Sequence, residues 1–124
     1  MEIEKRVIMN IINDSDEEIF AKANSIWREM IMYSNEGNYS DFVKHFSPSL
    51  MLGLNEVEVG RQFSTSELTR NLSEAFDGLG IIRRGEHVTV LYRQRSSKRE
   101  GEWLGRLVLG YDDGEVNVFG ASIF

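Results

Sequence analysis

Apolar residues recur at spacings of three and four along the first quarter of the chain: Ile19, Phe20, Ala23, Ile26, Trp27, Met30 and Tyr33. One stripe of that period predicts an amphipathic helix of about five turns. Ser15 and Glu18 form the two halves of a capping box at its start, and Gly37 stops it. Asn38 then predicts the cap of a short second helix on which Phe42 and Phe46 share a side. Pro48 closes that helix, because the residue before a proline is pushed out of helical geometry. Met51 to Val59, broken by Gly53, reads as a strand. Ser64-Thr65-Ser66-Glu67 repeats the capping-box pattern for a third helix, with Leu68, Leu72, Ala75, Phe76 and Leu79 as its stripe and Gly78 and Gly80 as its end.

From Glu86 onward the period changes to two, which predicts three antiparallel strands. Asp113-Gly114 is a strong hairpin signal, since both residue types tolerate the positive φ of a tight turn. It pairs Tyr111 with Val116, Leu109 with Val118 and Leu107 with Gly120. The connection from Ser96 to Gly101 is longer; with Arg95 facing Glu102 it places Val88, Val90, Tyr92, Trp103, Leu107, Leu109, Tyr111, Val116, Val118 and Phe124 on an inner face, under the helices. The outer face keeps Leu91, Leu104, Val108, Phe119 and Ile123 beside His87, Thr89, Arg93, Arg106 and Asn117. An apolar patch of that extent calls for a cover. A second copy of the same sheet, in a two-fold homodimer, is the economical one.

Composition narrows the function classes. At 124 residues the chain is one domain. Its net charge of −6 argues against a nucleic-acid partner, because phosphate binding needs a basic surface. Without cysteine it has neither disulfides nor thiolate chemistry. The stretch from Val7 to Ile12 is broken by Asn10 and too short for a signal peptide or a membrane span. The expectation is a soluble, cytoplasmic protein with no membrane association. Residues 1–13 stand outside the scheme, as an N-terminal arm or as an additional helix or strand.

Tyr39-x-x-Phe42-x-x-x-Phe46-Ser47, then Trp103-Leu104-Gly105-Arg106-Leu107-Val108-Leu109 with Asp113-Gly114 after it, resembles the nuclear transport factor 2-like superfamily, also called SnoaL-like. The resemblance runs from about Asp16 to Phe124 and rests on the order of elements. It implies an α+β fold with a cone-like curved antiparallel sheet wrapped by about three N-terminal helices, a cystatin-like arrangement. It also implies a pocket between sheet and helices, and dimerisation through the outer sheet face. Members include isomerases, dehydratases and cyclases as well as binding and assembly domains, so fold does not select function. Tyr92-Arg93-x-Arg95, Gly101-Glu102-Trp103 and Asp112-Asp113-Gly114 are also similar to the last strands of PAS sensor domains, although those domains begin with strands and this chain with helices.

Within that frame two functions compete. A binding or assembly domain would hold a small apolar ligand among Trp27, Tyr33, Phe46, Tyr92, Gln94, Trp103 and Tyr111, whose hydroxyl, amide and indole groups orient it. A cofactor-independent isomerase, cyclase or dehydratase would need an ionisable base in an apolar pocket. The inner face offers Gln94, Ser122 and two phenols, but no carboxylate or imidazole. The remaining catalytic candidates are Asp41 and His45, one helical turn apart, the carboxylate orienting the ring. Two distant histidines give no metal-binding spacing, and no motif calls for a cofactor.

Overall fold

A computed structural model describes residues 10–52, 67–112 and 114–124. A 3-10 turn at Ile11–Asn13 leads into the long helix α1, Asp16–Glu36. Both halves of the capping box are present: the Glu18 N–H donates to Ser15 Oγ, and the Ser15 N–H donates to Glu18 Oε1. Gly37 ends the helix at φ 71°, a left-handed conformation natural to glycine. Ile19, Ala23, Ile26, Trp27 and Met30 are buried along its inner side, as the stripe predicts; Ile31, outside the stripe, is buried too, and Phe20 and Tyr33 are only partly buried.

Asn38 caps a single turn, α2 (Tyr39–Phe42), by accepting from the Asp41 N–H. Here the first difference arises. The helix ends before Phe46, which instead bridges to Val118, and Pro48 opens α3 (Pro48–Leu52) rather than closing α2. Proline suits that place, since the N–H it lacks would have no helical partner anyway. Ser47 Oγ accepts from the Leu50 N–H at the start of this turn. Met51 and Leu52 are therefore helical, while the rest of the expected Met51–Val59 strand lies outside the described residues.

The third helix is replaced. Its expected start at Ser64 to Ser66 lies outside the described residues; Glu67 to Arg70 form a turn, and Asp77–Arg84 form strand β1. The backbone that would have closed a helix is satisfied elsewhere. Asn35 accepts from the Leu72 N–H and donates to its carbonyl, holding Leu72 as a neighbouring strand would. The Ser73 N–H donates to Arg95 O, and the Ser97 N–H to Asn71 O.

Strands β2 (His87–Gln94), β3 (Trp103–Asp112) and β4 (Glu115–Ile123) follow, and the sheet runs β1-β2-β3-β4, antiparallel throughout. Gln94 lies opposite Trp103, the register that Arg95 facing Glu102 requires. Tyr111 pairs with Val116 and Leu109 with Val118, as expected, but an irregularity between Val108 and Leu109 takes up one extra residue. Leu107 consequently lies opposite Ala121, not Gly120. Downstream of this bulge the faces exchange. Ile123 packs against the core instead of joining the outer face, and Phe124 is 67% exposed instead of buried.

The architecture is thus α+β, with α1 laid on one face of an open four-stranded sheet. Val88, Val90, Tyr92, Leu107, Leu109 and Val118 are wholly buried beneath it. Helix and sheet approach closely at Gly105 and Gly78, where a Cβ would come within 2.6 Å of the Trp27 and Phe20 rings respectively. Among the described residues no helix is long and apolar enough to cross a membrane.

Candidate functional site

The inner sheet face and α1 meet in a polar knot surrounded by rings. Trp27 stacks on Tyr92 with centroids 4.9 Å apart, and Phe76 meets Tyr92 edge-on at 5.3 Å. The Trp27 indole N–H donates to Gln94 Oε1 at 2.9 Å. Gln94, wholly buried, donates in turn to Ser73 O at 2.8 Å and Arg95 O at 2.9 Å. The Tyr92 hydroxyl donates to Asn24 Oδ1 at 2.8 Å, and burial pushes its pKa above the ordinary phenol value. Tyr92 and Gln94 are therefore committed to internal partners.

Beside this knot lies an open cleft of about 370 Å³. Trp27, Met30 and Ile31 form its α1 wall, Phe42, Leu68 and Leu72 its rim, and Ile123 its sheet side. Three hydroxyl-bearing residues, Ser34, Thr69 and Ser122, also border it, but Ser122 lies across from Arg106, so the bulge turns its side chain to the outer face instead of the expected inner one. Ser34 Oγ donates to Thr69 O. Ser122 Oγ is buried and has no hydrogen-bond partner among the described residues. Among the described lining residues there is no carboxylate and no imidazole.

The residues expected to bind a ligand separate accordingly. Trp27 lines the cleft, and Tyr92 and Gln94 support it from beneath. Phe46 stands behind Phe42, edge-on at 5.7 Å. Tyr33 carries Lys44 over its ring, and Tyr111 donates to Asp14 while accepting from Lys22. Trp103 is half-buried across from Gln94. None of these last four lines the cleft. Met30, Ile31, Leu68 and Ser34 do, although sequence reasoning assigned the first and third only to apolar stripes.

Asp41 and His45 do not form the expected pair. Because α2 stops at Phe42, His45 leaves the helical spacing and its Nε2 meets Glu29 Oε2 at 2.9 Å. Asp41 accepts from Asn38 Nδ2 at 2.7 Å instead. Lys44 joins Glu29 at 3.0 Å, and its hydrogen bond, followed by that of His45, holds the Glu29 carboxyl below its usual pKa. A depressed carboxyl pKa contributes stability above the unfolded value, 4.5, that is lost as pH falls through the folded value. Glu29→Gln is accordingly expected to flatten the acid limb of stability below pH 4.5, a modest change at a solvent-screened site, as read by urea midpoints across pH.

Among the described residues no group of three or more histidine or acidic side chains is placed to hold a metal. No protein-family model, curated protein or solved structure matches this chain.

Proposed function

We propose that this chain is a binding domain whose cleft holds one small, largely apolar molecule carrying a single hydrogen-bonding group. The carrying observation is the cleft itself: it is open rather than packed shut, apolar on three sides, and uncharged among its described lining residues. Its volume of about 370 Å³ suits a small organic ligand. Ser34 supplies the polar point: its Oγ donates to Thr69 O and can still accept from a ligand group. A nuclear transport factor 2-like frame agrees with this reading in the helix laid across an antiparallel sheet; it differs in the strand β1 that stands where a third helix was expected. Acid–base catalysis is the weaker reading, because Asp41 and His45 are bonded elsewhere and neither lines the cleft.

Native mass spectrometry of protein freshly purified from cells tests the proposal. The expected result is an added mass of a few hundred daltons that is lost in Leu68→Trp, where the larger ring fills the cleft rim. A bare wild-type protein that also gives no Trp fluorescence change with apolar probes overturns it.

A further inference from the structure

The opposite face of the sheet carries a second, shallower groove of about 590 Å³. Its floor is apolar: Ile82 from β1, Leu91 from β2, Val108 from β3 and Phe119 from β4. Its charged side chains, among the described lining residues, are of one sign. Arg84 and Arg106 both border it, with His87, whose ring meets Phe119 edge-on at 4.5 Å. No carboxylate is among the described lining residues. This is unusual in a chain of net charge −6.

The two arginines also differ from their neighbours. Arg83 pairs with Asp16, while Arg93 and Arg95 share Asp77 and Glu102. Among the described residues, the guanidiniums of Arg84 and Arg106 meet no ion pair, hydrogen bond or ring contact, and both residues are exposed. The ladder places them at opposite ends of the groove. Arg84 lies across from His87 and Arg106 across from Leu91. Four residues of β2 put them about 13 Å apart along the strands, and two strand spacings put them about 10 Å apart across.

We infer that this groove takes an elongated small molecule with an apolar middle and an anionic group at each end. The apolar floor receives the chain, and each guanidinium, a planar fork suited to carboxylate or phosphate, receives one end. A second copy of the sheet, the cover expected from the sequence, fits less well. It would bring two arginines and a histidine from each protomer into one interface, with no carboxylate among the described lining residues of either to meet them. Such unpaired charges are costly to desolvate. The inference is independent of the cleft on the inner face.

The test uses dodecanedioate, dodecanoate and 1,12-dodecanediol, titrated below aggregating concentrations into isotope-labelled protein and followed by amide shifts. Dodecanedioate is expected to bind about tenfold more tightly than dodecanoate, with the diol weaker still, and its shifts to centre on Thr89, Leu91 and Val108. Arg84→Gln and Arg106→Gln, at exposed and unpaired positions, should each bring the diacid down to the affinity of the monoacid without changing the melting temperature. Equal binding of diol and diacid overturns the proposal. So do shifts confined to the Trp27 cleft, unchanged affinity in either arginine variant, or sedimentation of a dimer whose outer-face amides are already protected.

Discussion

Replacing Gln94 with leucine is expected to destabilise the protein by about 2–4 kcal/mol. The side chain is wholly buried and makes three hydrogen bonds, one accepted and two donated. Leucine fills much the same space but bonds to nothing. The Trp27 indole N–H is left as a buried donor without a partner, and Ser73 O loses the amide that reaches it. Such orphaned groups cost more than the hydrogen bond contributed, because water no longer reaches them. Arg95 O is spared, since it also accepts from the Ser73 N–H. Leucine's extra apolar burial offsets part of the loss, which is why the range stops near 4. The measurement is the urea midpoint at unchanged slope. In a Trp27→Phe background the orphaned donor no longer exists, so the cost of Gln94→Leu should shrink by about 1 kcal/mol or more. A single-variant cost under about 0.5 kcal/mol, or full additivity with Trp27→Phe, contradicts this account.

Trp27→Ala carries the other large expected effect, about 3–5 kcal/mol, or roughly 10–20 °C in melting temperature. Trp27 is 3% exposed, stacks on Tyr92 and presses against Gly105, whose missing Cβ leaves room for the ring. Two of its neighbours are not placed to fill the space, because Tyr92 is held by Asn24 and Gln94 by two carbonyls. Differential scanning calorimetry reads the result. Trp27→Phe should fall between the two proteins, retaining most of the packing while losing the N–H. If alanine and phenylalanine cost the same, the hydrogen bond outweighs the packing and the picture of the knot is wrong.

What the sequence disclosed followed from how local each signal is. The long helix was legible because its cap, stripe and stop all lie within twenty-odd residues of one another, so Ser15, Trp27 and Gly37 needed no distant partner. The register around Gly114, at φ 82°, was legible for the same reason. Strand β1 was not. Leu68, Leu72, Phe76 and Leu79 fit a helical period, and the pairing that overrides it comes from Val90 and Leu91 on the next strand. One local sign was present: Gly85, at φ 62°, between Ile81-Ile82 and the strand from His87, marks a tight hairpin turn. The bulge beside Val108 left no sign, and it alone exchanged Ile123 with Phe124. At the candidate site, helical spacing pointed His45 to Asp41, yet its partner is Glu29, sixteen residues away on α1. The cleft was half legible for a similar reason. Aromatic residues drew notice, while the aliphatic wall of Met30 and Ile31 looked like ordinary core.

Val118, in the outermost strand β4, has both its backbone groups occupied from outside the sheet: its N–H donates to His45 O and its carbonyl accepts from the Ser47 N–H. An exposed strand edge is a template on which further chains add. Here the segment between α2 and α3 closes the middle of that template, and the extra residue at Phe119 interrupts the row of donors and acceptors beside it. The same short linker therefore covers the middle of the β4 edge, where a further strand would otherwise find free donors and acceptors.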